Sequence, residues 1–116
     1  MSKKNKLIHL NVDLEDNLQK INKYIEYHDN VWPEVIDDLR ERGVNRMRIY
    51  ISDNSLNMIL EVPEDFDLNK GIHQSPTTKK VEEWSDLMTS FLKTLKNGSK
   101  DYWKQTKLIF DTEDYY

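Results

Sequence analysis

Hydrophobic and polar residues alternate in several short stretches, which is the two-residue period of a strand with one buried face. The first runs from Leu7 to Val12, the second from Arg46 to Ser52, and the third from Leu56 to Val62. A short polar turn separates the last two, so they are predicted to form a hairpin. A final strand is predicted over 103–110, centred on the hydrophobic residues 108–110.

Between the first two strands, large side chains recur every three or four residues, which predicts one buried face of an α-helix. Asp13 is the predicted N-cap of this helix, and Gly43 is predicted to lie just past its end. Pro33 interrupts the run and has no backbone N–H, so we expect a kink or break between His28 and Trp32. The predicted buried stripe consists of Leu14, Leu18, Ile21, Ile25, His28, Trp32, Val35 and Leu39.

A second helix is predicted after the polar loop 63–76, which contains Gly71. Thr77 or Thr78 is expected to cap its start, and Asn97-Gly98 is expected to end it. Its predicted buried stripe consists of Val81, Trp84, Met88, Phe91 and Leu95.

The order of these elements is strand, helix, strand, strand, helix, strand (βαββαβ). It predicts an α+β fold of the ferredoxin-like, split βαβ type, with an antiparallel sheet and two helices on one face. The 116 residues are enough for a single domain, 1–116. The other face of the sheet carries a mixed surface that we expect to pack against a second copy, giving a homodimer. The residues of that face are Arg46, Arg48, Tyr50, Asn57, Ile59 and Glu61.

Composition narrows the range of partners. The formal net charge of −4 is spread over both signs without a basic block, so we expect no nucleic-acid partner. The chain has no cysteine, which is compatible with a reducing compartment. It has no apolar run of the length that a signal peptide or membrane span requires, so we expect a cytoplasmic protein without a membrane partner. His9, His28 and His73 lack metal-ligand spacing, and phosphate-binding motifs are absent, so no metal or cofactor is predicted.

His28 occupies a position of the first helical stripe that the pattern reserves for a hydrophobic residue. Burying an imidazole without hydrogen-bond partners is costly. Tyr24 lies one turn earlier on the same face, and Trp84 and Met47 are expected to point into the same layer. One interpretation is a core histidine bonded to Tyr24 or to carbonyls freed by Pro33. The other is a pocket that holds one acid–base group able to titrate near neutral pH.

The segment His28-x-Asn30-x-Trp32-Pro33-Glu34 is similar to the first-helix motif of the L-rhamnose mutarotase family. The resemblance covers nearly the whole chain. Other matching positions are Tyr24, Ile49-Tyr50, Met58 to Val62, and Lys80 to Met88.

The resemblance implies a dimeric ferredoxin-like α/β-barrel enzyme. Such an enzyme is an isomerase that interconverts the α and β anomers of a 6-deoxy pyranose without metal or cofactor. The resemblance makes His28 the proton donor and principal acid–base group. Rhamnose-type members have tyrosine in place of Met47 and a tryptophan pair in place of Trp84-Ser85, so the chain looks closer to the L-fucose mutarotase branch. The residues expected to contact the sugar are Tyr24, Met47, Trp84, Ser85 and Trp32.

Two other functions fit the same architecture. One is a cofactor-free or haem-degrading monooxygenase of the dimeric α/β-barrel class, which also places a histidine or tryptophan between helices and sheet. The other is a sugar-binding domain without catalytic activity. Acceleration of anomer exchange would separate a mutarotase from both.

Overall fold

The computed structural model describes residues 5–70, 72 and 78–116. Its central element is an antiparallel sheet of four strands in the order β2-β3-β1-β4. The strands are β1 (Asn5–Asp13), β2 (Arg46–Ser52), β3 (Ser55–Pro63) and β4 (Lys104–Gln105). This order and the antiparallel pairing confirm the predicted α+β, ferredoxin-like arrangement.

Within the described residues three α-helices accompany the sheet, where the sequence predicted two. They are α1 (Leu18–Asp29), α2 (Pro33–Arg42) and α3 (Lys79–Ser90). Short 3-10 turns occur at Leu68–Lys70 and Thr112–Asp114. No helix in the described ranges has the length and apolar character needed to cross a bilayer. Gly71, His73 and Thr77 lie outside the described residues.

The buried face of the sheet is the one that the alternating pattern predicts. Leu10 of β1 pairs with Met58 of β3, and Ile49 of β2 pairs with Met58 from the other side. Paired residues share a face, so these side chains form one apolar layer. The fully or nearly buried members of that layer on β1 and β3 are Ile8, Leu10, Val12, Leu56, Met58, Leu60 and Val62.

The predicted first helix is two helices. Its start was predicted wrongly, because Asp13 is the last residue of β1 and the N-cap of α1 is Asn17. The Asn17 Oδ1 accepts a hydrogen bond from the backbone N–H of Lys20 at 3.0 Å. The predicted break is confirmed, since α1 ends at Asp29 and α2 begins at Pro33. The backbone N–H of the first helical residue has no acceptor within the helix, so proline, which lacks an N–H, is tolerated at that position.

The later start of α1 also changes which residues it buries. Leu18 and Ile25 were predicted to be buried, yet both are exposed, and Tyr24 is buried instead. Neighbouring residues on a helix lie about 100° apart around its axis. An error of one residue in assigning the buried face therefore places Ile25 where Tyr24 lies. Leu14 is buried as predicted, but it pairs with Leu92 in an isolated bridge and lies outside any helix.

The second predicted helix begins correctly and ends early. Thr78 is its N-cap, with Oγ1 accepting from the backbone N–H of Val81 at 3.3 Å. The helix stops at Ser90, so its predicted end at Asn97-Gly98 was wrong and Leu95 is exposed. Gly98 instead has a positive φ of 87° in the turn that lets Thr94 pair with Lys100.

The predicted final strand is mostly absent. Only Lys104–Gln105 pairs with β1, opposite Leu10 and Asn11. The hydrophobic residues 108–110, on which that prediction was centred, carry no strand pairing within the chain and are exposed. The prediction of a strand centred on residues 108–110 was therefore wrong, and β4 is limited to two residues.

We predict that Leu14→Ala lowers the free energy of unfolding by about 2–5 kcal/mol, because a fully buried leucine leaves a cavity when truncated. Leu14 is 0% exposed, whereas Leu18, from the same predicted stripe, is 72% exposed. Leu18→Ala is the matched control and should change stability by no more than about 0.5 kcal/mol. Urea unfolding measures both variants. Equal effects would contradict the placement of α1.

Candidate active site

A cavity of about 740 Å³ lies between the helices and the buried face of the sheet. Its walls come from α1, α2, β2, β3, α3 and the segment that precedes β4. The predicted site residues that line it are Tyr24, His28, Met47, Trp84 and Ser85. The remaining predicted residue, Trp32, packs against Trp84 with ring centroids 5.2 Å apart and is not part of the cavity wall.

His28 lies in the last turn of α1 and is half-buried. Its Nδ1 is 2.8 Å from the backbone carbonyl oxygen of Tyr24. A carbonyl oxygen can only accept, so Nδ1 is the donor and carries a hydrogen. In the neutral ring Nε2 is then the nitrogen with the lone pair. No hydrogen bond to Nε2 from the described part of the chain is found, and His28 is one of the residues that line the cavity.

This hydrogen bond settles part of the question that the sequence raises about His28. The partner belongs to Tyr24, as one interpretation predicted, but it is the backbone carbonyl and not the phenol. It is also one full turn earlier than the carbonyls at the break before Pro33. A carbonyl oxygen has two lone pairs, so it can accept from the imidazole and from the helix at the same time. Of the two ring nitrogens of His28, Nδ1 therefore has its hydrogen-bond partner in the same helix.

Aromatic rings fix the remaining freedom of the imidazole. The ring of His28 lies 4.5 Å from that of Tyr24 and 5.5 Å from that of Trp84, centroid to centroid. Tyr27 meets Trp84 edge to face at 6.2 Å, and Trp32 meets it from another side. Edge-to-face packing of this kind is directional as well as apolar. Trp84 is therefore held on several sides while it forms part of the cavity wall.

Tyr24 contributes a phenol that stays protonated. The side chain is buried, and the loss of solvation on burial raises the pKa of its hydroxyl above the ordinary value. At neutral pH this group can donate or accept a hydrogen bond, but it does not become a phenolate. It therefore suits binding a hydroxyl group rather than removing a proton.

The cavity has further polar residues that the sequence interpretation missed. Arg40 comes from α2, Asn45 from the turn before β2, and Thr89 from α3. Thr89 Oγ1 donates a hydrogen bond to the carbonyl oxygen of Ser85 at 2.7 Å. The hydroxyl oxygen can still accept a hydrogen bond. The position of Thr89 one turn after Ser85 is a signal that helical spacing could have supplied. Asn45 lies outside any periodic element and has no such signal.

The described residues contain no cluster of three or more histidine, cysteine, aspartate or glutamate side chains that could hold a metal ion. His9 lies on the outer face of the sheet, where its ring nitrogens contact Asn57 at 3.0 Å and Thr106 at 2.9 Å. It is therefore not part of the cavity wall. Of the two histidines that the structure describes, His28 is the one that lines the cavity.

Comparison with known proteins gives a consistent result at the level of sequence. A family model described as L-rhamnose mutarotase matches residues 8–112. A UPF0734 protein of Dictyostelium discoideum is 30% identical over 107 residues, covering 88% of this chain and 86% of its own length. An L-fucose mutarotase of Xanthomonas campestris pv. campestris is 29% identical over 102 residues, covering 85% of this chain and 82% of its own.

Solved structures with the same fold are also found. A crystal structure of an L-rhamnose mutarotase from Formosa agariphila aligns with a TM-score of 0.65 at 22% identity, covering 91% of this chain and 97% of that one. A dimeric ferredoxin-like protein from an uncultured marine organism aligns with a TM-score of 0.55 at 15% identity, covering 94% and 95%. At these identities the structural matches support the ferredoxin-like fold alone.

We predict that the neutral His28 ring carries its hydrogen on Nδ1, because Nδ1 faces a carbonyl oxygen that can only accept. Long-range ¹H–¹⁵N correlation spectra of the imidazoles distinguish the two tautomers. His28→Gln removes the His28 signals and so assigns them. A neutral His28 ring that is protonated on Nε2 would contradict the geometry.

Proposed function

We propose a function for this chain from the fact that it belongs to the L-rhamnose mutarotase family. In our proposal it is an isomerase that interconverts the α and β anomers of a 6-deoxy pyranose. The observation that carries the proposal is that His28 lines the cavity with one ring nitrogen bonded to Tyr24 and the other without a hydrogen-bond partner among the described residues. The 740 Å³ cavity is within the usual size of small-molecule sites.

The reaction needs a proton to be given to one oxygen of the anomeric carbon and a proton to be taken from the other. The ring opens when the ring oxygen gains a proton and the anomeric hydroxyl loses one, which breaks the bond between the anomeric carbon and the ring oxygen. The aldehyde group of the open chain then rotates, and the hydroxyl formed from the ring oxygen adds to the opposite face of the carbonyl. In this step that hydroxyl loses its proton and the carbonyl oxygen gains one. An imidazole exchanges protons near neutral pH and is a common general acid–base group. We assign this role to His28, through Nε2, because Nδ1 is committed to Tyr24.

The other site residues are proposed to hold the sugar. Trp84 offers an aromatic surface to the C–H face of the pyranose, and Met47 forms an apolar contact for the ring or its methyl group. Tyr24 and Ser85 supply hydroxyl groups for hydrogen bonds. Trp32 would act through Trp84, which it packs against, instead of by direct contact.

L-Fucose is the substrate that we favour over L-rhamnose. The chain looks unlike rhamnose-type members of the family at two positions. Those members have tyrosine in place of Met47 and a second tryptophan in place of Ser85. Both positions line the cavity, so a change in size at either one alters the space available to the sugar. The match to an L-fucose mutarotase supports the same choice.

We also propose that the protein is a homodimer. The outer face of the sheet has large exposed side chains, including Leu7 and Tyr50. A surface of this kind marks an interaction site when it is contiguous. The structural neighbour described as a dimeric ferredoxin-like protein supports this arrangement. A cytoplasmic location fits the absence of cysteine from the sequence.

We predict that His28→Gln slows anomer exchange of L-fucose by at least ~10²-fold, the usual contribution of a general acid–base group. Glutamine keeps a polar side chain of similar length but cannot exchange protons near neutral pH. Saturation transfer between the α and β anomeric protons measures the rate.

His9→Gln is the matched control, because His9 lies on the outer face of the sheet and should be dispensable. Exchange by His28→Gln at the parent rate would refute the role of His28. Sugar shifts without any exchange in the parent protein would indicate a binding domain, and a Soret band on haem titration would indicate the monooxygenase class.

We predict that Met47→Tyr shifts the ratio of exchange rates from L-fucose toward L-rhamnose, because the larger phenol reshapes one wall of the cavity. Tyr50→Phe, on the outer face of the same strand, is the control and should leave the ratio unchanged. An unchanged ratio in Met47→Tyr would mean that Met47 is ordinary core and does not select the sugar.

A further inference from the structure

Trp103 lines the cavity, and the function proposed above gives this residue no role. It directly precedes β4, in which Gln105 pairs with Leu10 of β1. Two residues further along the same antiparallel register, Trp103 comes opposite Val12, which is fully buried on the inner face of the sheet. Because residues opposite each other on neighbouring strands share a face, the indole of Trp103 lies on the side of the sheet that faces the helices.

The indole of Trp103 is half-buried and joins two parts of the hydrophobic core. It packs against the buried cluster that includes Leu10 and Leu60, and also against the cluster that includes Val12 and Tyr24. It contributes to the cavity wall as well. Close-packed neighbours on two sides restrict the ring to one position. Trp103 thus presents a fixed aromatic surface at the edge of the cavity.

The backbone on either side of Trp103 is held by Asp101. One carboxylate oxygen, Oδ2, accepts a hydrogen bond from the backbone N–H of Asp13 at 3.1 Å. The other, Oδ1, accepts from the backbone N–H of Tyr102 at 3.1 Å and from Lys104 Nζ at 3.0 Å. These bonds tie the segment before β4 to the end of β1. Because this segment is already ordered, little freedom remains to be lost when a ligand meets the indole.

Trp103 and Trp84 belong to opposite layers of the cavity. Trp84 lies on α3 in the helical layer, whereas Trp103 belongs to the layer of the sheet. The cavity residues on β2 and β3 are Met47, Ile49 and Met58, none of which is aromatic. The face of an aromatic ring is electron-rich and attracts the weakly positive hydrogens of C–H groups. A pyranose has C–H groups on both of its faces, so a sugar packed on Trp84 still has a second face to cover.

We propose that Trp103 is a further sugar-contacting residue, which packs against the face of the pyranose opposite the one that Trp84 covers. This inference rests on the proposed function and adds a second aromatic wall to the same site. The contact involves neither the ring oxygen nor the anomeric hydroxyl, so it strengthens binding without changing the rate of proton transfer. Trp103 thus sets the affinity for the sugar, whereas His28 exchanges the proton.

The first test follows the indole N–H signals of the parent protein in ¹H–¹⁵N spectra while L-fucose is added. The sequence has three tryptophans, Trp32, Trp84 and Trp103, and single Trp→Phe variants assign their signals. The signals of Trp103 and Trp84 should shift together and saturate at the same sugar concentration. A Trp103 signal that stays in place while the Trp84 signal shifts would overturn the inference and leave the proposed function intact.

The second test separates sugar binding from catalysis with Trp103→Leu, which keeps an apolar side chain but removes the aromatic surface. The KM for anomer exchange of L-fucose should rise roughly 3- to 10-fold, the loss expected for one aromatic contact, while kcat changes by less than about 2-fold. Phe66→Leu is the matched control, because Phe66 packs in one of the two clusters that Trp103 contacts and does not line the cavity. The control should lower stability in urea and keep the parental KM.

The outcomes distinguish a sugar contact from a residue of the core. A folded Trp103→Leu variant with the parental KM would overturn the inference, and so would an equal rise of KM in Phe66→Leu. If Trp103→Leu does not fold, the titration of the parent protein decides. A parent that neither binds L-fucose nor exchanges its anomers would overturn the proposed function, and the contact with Trp103 would fall with it.

Discussion

The hydrogen bond from His28 Nδ1 to the carbonyl oxygen of Tyr24, 2.8 Å long, is the contact on which the proposed chemistry depends. It fixes the tautomer and the orientation of the ring. The acceptor is a backbone carbonyl oxygen of the same helix, so no further polar side chain is needed for this bond. It also leaves Nε2 as the nitrogen that can meet a ligand. Without this bond the ring could turn, and a half-buried imidazole would have no defined reactive atom.

The position of that bond depends in turn on the end of α1. His28 lies in the last turn, one residue before the helix stops at Asp29, and α2 starts a new direction at Pro33. The change of direction lets both helices line the cavity, with His28 from one and Arg40 from the other. Trp84 from α3 then closes the aromatic contacts around the imidazole. The helix break, the hydrogen bond and the aromatic packing together define one wall of the site.

Local rules predicted the parts of this arrangement that local physics controls. The alternation in β1 and β3 predicts the face that is buried, and the predicted break before Pro33 also occurs. In β2, Met47 and Ile49 on the same face are only half-buried and Ile51 is exposed. The phase of α1 was predicted wrongly, because Leu18 and Ile25 match the apolar spacing as well as Tyr24 does. Leu14, which precedes α1, is paired with Leu92 in an isolated bridge. This pairing joins distant parts of the chain, so local spacing could not predict it.

The candidate site was predictable to the extent that its residues lie on periodic elements. His28, Trp84 and Met47 stand on regular faces and line the cavity, whereas Asn45 lies in a turn that gives no such signal. Trp32 was placed in the wall by its spacing, but it lies in the break before Pro33 and packs against Trp84 without lining the cavity. The residues 108–110 show the complementary limit. Their hydrophobic run predicts a strand, but β4 ends at Gln105 and residues 108–110 have no strand pairing.

The most direct test of the account is a crystal structure of the protein with L-fucose bound. The account predicts that the sugar occupies the cavity with its ring oxygen or anomeric oxygen about 2.6–3.2 Å from His28 Nε2, while Nδ1 keeps its contact with Tyr24. A sugar bound outside the cavity, or one that meets Nδ1 after the imidazole has turned, would contradict it.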